Sequence, residues 1–332
     1  MSENSRHALV GAIGGTYISL AIMDIDEYTV ANFALLNSAD FTSPMEAIAR
    51  YLKSLPRVPD KVGLSIAGLV NGESARMTHL PWSFDWNDIR AVTRASHICF
   101  VNEFEALALA TPTLSSYDVL PVARGAIKRT ANRAVVSAGT GLGAAALVWT
   151  GSRWQALSGA SRFSSFPPPQ GHEFDIRTIV AHEGFVEAGQ ILTGHGMVTL
   201  YKAMVKAEGR EPATLTAPQI SKAGLSGEDP VAVRTLELMA TWLGRFAGDI
   251  ALHYGATGGV YLAGGMPSNI AAALQTRHFI DAFEGVGERR EYLADTPVQV
   301  VKAGADAGLR GAAVALANSL PVRPTNVHRM RA

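Results

Sequence analysis

Residues 7–25 read HALVGAIGGTYISLAIMDI, and residues 133–147 read RAVVSAGTGLGAAAL. Each stretch joins two apolar runs through a turn with closely spaced glycines, a pattern typical of a β-hairpin. We predict strands at His7–Ile13 and Thr16–Ile25, and a strand, a glycine turn and a second strand within Arg133–Leu147. Because each hairpin opens a succession of strands and helices, the chain is predicted to contain two α/β units of similar plan.

The segments that follow the hairpins complete these two units. Ser43 and Pro44 predict the start of a helix, because serine caps a helix N-terminus and proline suits its first position. The other elements predicted for the first unit are the strands Val30–Leu36, Lys61–Val70 and His97–Val101, a turn at Asn71-Gly72 and a helix at Glu105–Ala110. The second unit is predicted to contain the strands Arg153–Leu157, Gly259–Ala263 and Val298–Val301, and helices at Val231–Tyr254 and from Ser268. A final helix, predicted at Ala307–Leu320, closes the first unit.

Length and composition narrow the classes of protein that need to be considered. The 332 residues predict two domains at about 150 residues each, which we place at 1–110 with 305–332 and at 111–304. With 48% hydrophobic and 17% charged residues, the chain has ample material for a core, which argues against extended disorder. Since 29 Lys and Arg balance 29 Asp and Glu, no basic surface for nucleic acid is predicted.

The sequence also predicts the compartment. Cys99 is the single cysteine of the chain, so an intrachain disulfide is excluded, which fits a reducing compartment, and the residue is expected to pack as a small hydrophobic side chain. The uncharged segments Ala8–Met23 and Ala134–Ser152 contain glycines in their interiors, so we predict hairpins there and not a signal sequence or a membrane span. We therefore predict a cytoplasmic protein with no membrane partner.

Three groups of residues in glycine turns are candidates for phosphate binding. They are Gly14, Gly15 and Thr16, then Gly139, Thr140 and Gly141, then Gly264 and Gly265 after a predicted strand. Glycine allows backbone N–H groups to line a concavity that a phosphate can approach without meeting a side chain. The plain alternative for each group is a tight turn with no ligand.

A dinucleotide-binding motif is the other function that the second group suggests. Gly139-x-Gly141-x-x-Ala144 fits the loose form of that motif. The motif requires a helix directly after the glycines and an acidic residue about 20 positions further on. Here Ala144–Trp149 has the composition of a strand and Gly159–Ser164 contains no acid, so this interpretation is rejected.

The order of the glycine turns resembles that of the sugar-kinase and actin-like ATPase superfamily, and at the residue level the chain resembles the bacterial glucokinase family. The similarity extends over nearly the whole chain. It is carried by Leu9–Ile22, Met77–Trp82, Val101–Ala110, Ala138–Leu147, Gly184–Tyr201, Leu243–Gly265 and Gly308–Ala317. The resemblance implies two ribonuclease-H-like domains flanking a central cleft, ATP as the nucleotide, Mg²⁺ at its phosphates, glucose as the phosphate acceptor and a homodimer.

The departures from the family pattern lie at the positions that the resemblance assigns to metal and base. The first hairpin of the family reads Asp-x-Gly-Gly-Thr-Asn, whose aspartate orients hydrated Mg²⁺, whereas this chain has Ala12 and Tyr17 at the aspartate and asparagine positions. The family's Asn-Asp pair holds the sugar and supplies the base, and it corresponds to Asn102 and Glu103. We therefore expect no metal ligand at position 12 and take Glu103 as the candidate catalytic base.

The positions that the resemblance assigns to sugar binding differ as well. The family's Glu-Gly-Gly-His corresponds to residues 160–163, Ala-Ser-Arg-Phe, a further sugar-binding glutamate corresponds to Gly189, and the family's Thr-Asn is Thr78-His79. We expect Arg162 and Phe163 to narrow the sugar pocket, and Arg162 is a candidate for binding an anion. Candidate substitutes for the missing groups are Glu105, His172 and Glu173, although solvated positions are the simpler interpretation. His182 and His195 are interpreted as surface or packing residues.

Three hypotheses follow for the activity. The first is a glucokinase homologue in which glucose phosphorylation is lost or strongly reduced and which binds a nucleotide, and a sugar or anion, in a regulatory role. The alternative is an active ATP-dependent glucokinase or other sugar kinase with Glu103 as base, since phosphoryl transfer depends on positioning and charge neutralisation. The third is a structural subunit without a small-molecule ligand, which a thermal shift with ATP or a sugar would exclude.

Overall fold

The computed structural model describes residues 6–166, 185–302 and 304–320. These residues form two compact units. The first unit contains the described residues up to Val101 together with those from Ala312 onward, and the second contains Asn102–Gly311. Among the described residues, no helix has the length and apolar character needed to cross a membrane.

The first unit is built on a five-stranded sheet with the strand order β3-β2-β1-β4-β8. The three-stranded sheet β5-β6-β7 and two helices accompany it. The strands are β1 (His7–Ile13), β2 (Tyr17–Asp24), β3 (Val30–Asn37), β4 (Lys61–Ile66), β5 (Gly68–Asn71), β6 (Ser74–Met77), β7 (Ser83–Asp85) and β8 (His97–Asn102), and the helices are α1 (Pro44–Leu52) and α2 (Trp86–Thr93).

Sequence and structure agree closely over the first hairpin and α1. β1 and β2 pair antiparallel from His7 with Asp24 to Ile13 with Ile18, which places the predicted glycine turn at the closed end of the hairpin. α1 begins where Ser43 and Pro44 predict, and Ser43 Oγ accepts a hydrogen bond from the backbone N–H of Glu46 at 3.3 Å. Both elements are therefore determined by local sequence signals, a hairpin turn and a helix cap.

The second unit is built on a six-stranded sheet with the order β12-β11-β10-β13-β14-β9. Its strands are β9 (Val119–Ala123), β10 (Arg133–Ala138), β11 (Leu142–Trp149), β12 (Trp154–Gly159), β13 (Val260–Ala263) and β14 (Val298–Val301). Its helices are α3 (Glu103–Ala110), α4 (Ala188–Ile191), α5 (Gly194–Ala207), α6 (Ala217–Ser226), α7 (Pro230–Tyr254), α8 (Gly265–Asn269), α9 (Ala271–Leu274), α10 (Arg277–Glu284) and α11 (Glu288–Leu293), and α12 (Gly304–Ser319) continues into the first unit.

The longest of these helices, α7, organises the core of the second unit. Leu236, Met239 and Leu243 recur at helical spacing and are almost completely buried, as the apolar periodicity predicts. Asp229 caps the helix by accepting hydrogen bonds from the backbone N–H groups of residues 231 and 232. Burial of this apolar stripe against the sheet and neighbouring helices stabilises the unit by roughly 1.5–3 kcal/mol per fully buried side chain.

The predicted mixed α/β architecture is confirmed, but several element bounds differ. The single strand predicted at Lys61–Val70 is two strands. β4 ends at Ile66, and β5 begins at Gly68, which pairs with Met77 of β6. α3 begins at Glu103, two residues before the predicted start, because Asn102 caps it. The helix after the last glycine pair begins at Gly265 and not at Ser268.

The remaining sequence predictions concern single side chains. Cys99 is half-buried in β8, and burial raises the pKa of its thiol, while a hydrogen bond with Ser319 opposes that shift. His195 is exposed on α5, in agreement with the predicted surface position. His172, Glu173 and His182 lie outside the described residues.

Candidate functional site

The first glycine turn, in the first unit, closes on itself. The backbone N–H of Gly14 donates to the carbonyl oxygen of Tyr17 at 2.9 Å. Ser38 contacts the turn through two hydrogen bonds of 2.9 Å. Its hydroxyl donates to the Gly14 carbonyl oxygen, and its backbone N–H donates to the Thr16 carbonyl oxygen. A Cβ atom on Gly14 would lie 2.8 Å from the Tyr17 carbonyl oxygen. Turn geometry alone therefore requires glycine at position 14.

Position 12, next to this turn, carries no ligand atom for a metal. Ala12 pairs with Ser19 of β2 and with Ser65 of β4. The nearest carboxylate along β2 is that of Asp24, which pairs with His7 at the opposite end of the hairpin. Asp24 is therefore too far along the hairpin to take the place of an acid at position 12.

The surroundings of Asp24 show that its role is structural. Its carboxylate lies 3.3 Å from Arg6 Nε and accepts hydrogen bonds from the backbone N–H groups of Asp26 and Glu27 at 2.9 and 3.1 Å. Burial alone would raise the pKa of Asp24, but these N–H groups and the Arg6 guanidinium hold the pKa below its usual value. The carboxylate therefore fixes the β2–β3 turn.

The second and third glycine groups lie together in the second unit. β10 and β13 are parallel neighbours, with Ser137 paired to Ala263, so the turns that follow them emerge at the same edge of the sheet. A Cβ atom on Gly139 would lie 3.8 Å from the backbone nitrogen of Gly265. We call Gly139, Thr140, Gly141, Gly264 and Gly265 the glycine cradle.

The backbone around the glycine cradle is open where a ligand needs space. Among the described residues, apart from the chain neighbours and the helix backbone itself, no heavy atom lies within 4 Å of a Cβ atom built on Gly141 or Gly265, and both residues are exposed. Gly264, in contrast, has a φ of +93°, and a Cβ atom there would be inside van der Waals contact with the Ala138 carbonyl oxygen. This combination of strained and open glycines fits the phosphate groups of a nucleotide.

A further contributor to the cradle is Gly194, which sequence reasoning missed. Its backbone N–H donates to the Gly139 carbonyl oxygen at 2.9 Å, and it is the first residue of α5. Thr193 caps that helix by accepting a hydrogen bond from Gly196 N–H at 3.1 Å. The sequence Thr-Gly-x-Gly at 193–196 is a helix-start signal that could have located this contribution.

Glu103 and Asn102, the candidate base and its neighbour, lie at the junction of β8 and α3. Asn102 caps α3 by accepting a hydrogen bond on Oδ1 from Phe104 N–H at 2.9 Å. Its Nδ2 donates to Glu103 Oε2 at 2.7 Å. Both side chains are half-buried. One amide group thus both starts the helix and orients the carboxylate.

Glu105, the predicted substitute for a missing acid, is engaged elsewhere. Its Oε1 accepts hydrogen bonds from Ser158 Oγ at 2.8 Å and from Ser158 N–H at 3.3 Å. Glu105 lies in the first turn of α3, which begins at Glu103, and its carboxylate joins this helix to β12.

Arg162 and Phe163 form a short exposed segment in the 3₁₀ turn Ser161–Phe163. The guanidinium carbon of Arg162 lies 4.1 Å from the centre of the Phe163 ring, a cation–π contact. A Cβ atom on Gly189 would lie 3.0 Å from the Arg162 carbonyl oxygen and 3.1 Å from its Cβ atom. A side chain at 189 would therefore require the backbone at 162 to shift by a few tenths of an ångström.

The resemblance implies two ligands, ATP and Mg²⁺. The residues described above suit ATP better than Mg²⁺. The open backbone at Gly141 and Gly265 suits the phosphates of ATP. For the metal, position 12 offers a methyl group, and the described residues contain no group of three or more His, Cys, Asp or Glu side chains that could hold an ion. The residues present therefore do not fit a Mg²⁺ ion held at position 12.

Two α/β units, each opened by a strand, a glycine turn and a second strand, define the actin-like ATPase class of protein. The sequence profile of the family described as Glucokinase matches residues 9–319. The chain belongs to this family. Among curated relatives, it is 34% identical to a glucokinase of Nitrobacter hamburgensis over 88% of this chain and 92% of that protein, and 34% identical to one of Hahella chejuensis over 95% and 98%.

Solved structures agree with this assignment. A glucokinase from an Antarctic psychrotroph superposes with a TM-score of 0.84 at 30% identity, covering 95% of this chain and 99% of that one. A ROK family glucokinase from Streptomyces griseus, solved in complex with glucose and AMPPNP, has a TM-score of 0.65 at 19% identity, covering 94% and 99%. The second of these similarities concerns the fold alone.

Proposed function

We propose that the protein is an ATP-dependent sugar kinase in which Glu103 is the catalytic base. The observation that carries the proposal is the Glu103 carboxylate at the first position of α3, oriented by Asn102 Nδ2 at 2.7 Å. The relatives named glucokinase over most of the chain length support this alternative over the predicted loss of phosphorylation.

Each part of the site has a task in this reaction. ATP supplies the phosphoryl group when bound, and the open backbone of the glycine cradle binds its phosphates. Asn102 holds the Glu103 carboxylate in one orientation, and Glu103 accepts the proton of the attacking sugar hydroxyl. Removing that proton as the oxygen attacks phosphorus makes the oxygen a stronger nucleophile.

The test is ADP release by the purified chain on a panel of hexoses that includes glucose. Glu103→Gln, which keeps the shape but does not accept a proton, should lower kcat by about 10²- to 10⁴-fold with ATP affinity unchanged. Glu73→Gln, at an exposed position in the β5–β6 turn, is the matched control and should retain activity. Absence of ADP release on every sugar, with ATP bound, would contradict the proposal.

The second candidate function is that of a regulatory protein that binds a nucleotide, with phosphorylation lost or strongly reduced. Two observations favour it: Ala12 offers no metal ligand, and the backbone at Arg162 occupies the space next to Gly189. Exposed Arg162 is then the proposed contact for an anionic group of the ligand. Calorimetry with ATP, ADP and glucose, with and without Mg²⁺, separates the candidates. A gain of kinase turnover in the Ala12→Asp variant that appears only when Mg²⁺ is present would favour the second candidate function.

We also propose that the protein is a homodimer and that it is cytoplasmic. The family resemblance motivates the homodimer, and the single cysteine motivates the cytoplasmic location. Light scattering coupled to gel filtration measures the mass of the assembly, and a mass of one chain, 35.2 kDa, would contradict the dimer. Cell fractionation tests the location.

A further inference from the structure

The first turn of α3 is anchored on both sides of Glu103. Asn102 precedes the glutamate and caps the helix, while Phe104 and Glu105 follow it and each contacts a different strand. The helix has 8 residues, and isolated helices of this length are unstable in water. Its geometry therefore depends on these contacts.

Phe104 makes the first anchor, on β11. A Cβ atom built on Gly143 would overlap three carbon atoms of the Phe104 ring, so the ring lies directly on the strand backbone. Gly143 pairs with Ser137 of β10 and is two residues from Gly141 in the glycine cradle. The phenyl ring thus connects α3 to the strand that carries the cradle turn.

Glu105 makes the second anchor, on β12. Its Oε1 accepts both the hydroxyl and the backbone N–H of Ser158. Ser158 in turn pairs with Ala145 of β11. The neighbouring strands β11 and β12 thus contact two consecutive residues of the same helical turn.

We propose that Phe104 and Glu105 are positioning residues that fix the Glu103 carboxylate relative to the Gly139–Gly141 turn. The catalytic consequence rests on the proposed function, whereas the anchoring rests on the contacts themselves. A displacement of about 1 Å at a reacting group can reduce the rate about 100-fold. Contacts that hold this short helix are therefore expected to affect kcat and not the affinity for ATP.

The test compares Glu105→Ala with Glu105→Gln, because the glutamine carbonyl oxygen can accept both hydrogen bonds from Ser158. Glu105→Ala should lower kcat by about 10- to 100-fold with the KM for ATP unchanged. Glu105→Gln should keep most of the kcat of the parent protein and should leave the pH profile of kcat unchanged. Gln155→Ala, an exposed change on the same strand, is the control. Phe104→Leu, which makes a smaller contact with Gly143, should lower kcat about as much as Glu105→Ala does.

Two outcomes would overturn the proposal. Equal kcat values for the parent, Glu105→Ala and Phe104→Leu would show that the anchors do not act on Glu103. A Glu105→Gln variant as inactive as Glu103→Gln would make Glu105 a proton acceptor and not a positioning residue.

If the parent protein transfers no phosphoryl group, the proposed function fails, and the anchoring is measured separately. Hydrogen exchange of the full chain should then show faster exchange at residues 102–106 in Glu105→Ala and unchanged exchange in Glu105→Gln. Unchanged exchange in both variants would refute the anchoring as well.

Discussion

The two glycine hairpins have the same topology but differ in how their turns are built. In the β1–β2 turn, Gly14 bonds to Tyr17 and is held by Ser38, so the turn is closed by its own contacts. In the β10–β11 turn, the backbone N–H of Gly139 likewise donates to the Gly141 carbonyl oxygen at 2.9 Å, but no atom of the described residues beyond the chain neighbours lies within 4 Å of a Cβ atom built on Gly141. Turn geometry therefore requires glycine at position 14, whereas the turn itself leaves room for a side chain at position 141.

The largest predicted effect concerns the pair of glycines that follows β13. Gly264→Ala forces a residue with a side chain to φ +93° and against the Ala138 carbonyl oxygen, so we expect a loss of about 3 kcal/mol in the free energy of unfolding. Gly265→Ala, with open space at its Cβ position, should change stability by less than about 0.5 kcal/mol. Urea denaturation measures both.

The same pair separates stability from ligand binding. In calorimetry, Gly265→Ala should weaken ATP binding although the protein remains fully folded. An unchanged affinity in this variant would show that the open space at Gly265 does not face the nucleotide.

A smaller effect is predicted for the hairpin turns themselves. Gly14→Ala places a Cβ atom 2.8 Å from the Tyr17 carbonyl oxygen and should destabilise the protein by about 1–3 kcal/mol. Gly141→Ala should leave the melting temperature unchanged and reduce ATP affinity. If both variants lose stability equally, the distinction between a closed and an open turn is wrong.

The smallest effect is a pH dependence at the open end of the first hairpin. Because the pKa of Asp24 is lower in the folded than in the unfolded chain, its contribution is present above the unfolded pKa of about 4 and is lost as the pH falls through the folded pKa. Asp24→Asn should therefore lower the melting temperature at pH 7 and flatten its decline below about pH 4. Asp26→Asn, at a half-exposed carboxylate, is the control, and an equal effect in both variants would contradict the assignment.

Local signals explain which parts of the fold could be predicted. Ser43 with Pro44, the glycine turns and the apolar periodicity of α7 all act within a few residues of the element that they start or bury. The division of β4 from β5 depends instead on Gly68 pairing with Met77 of β6, a contact between separate segments. The first three elements were therefore predictable, and the strand division was not.

The candidate site shows the same limit. Glycine spacing located the cradle residues, because backbone conformation is encoded locally. The engagement of Glu105 with Ser158 joins positions 53 residues apart, and the contact of Arg162 with Gly189 is likewise set by tertiary packing. Neither has a signature in the sequence around it.

The contact between Arg162 and Gly189 also constrains how this site can change. A glutamate introduced at position 189 would start within 3.1 Å of the Arg162 Cβ atom, so the substitution is penalised until the backbone at 162 moves. The close atoms are the carbonyl oxygen and the Cβ atom of residue 162, so exchanging the Arg162 side chain for another does not remove the obstacle. Tolerance of a side chain at 189 is therefore decided by the path of the backbone at 162 and not by the side chain that stands there.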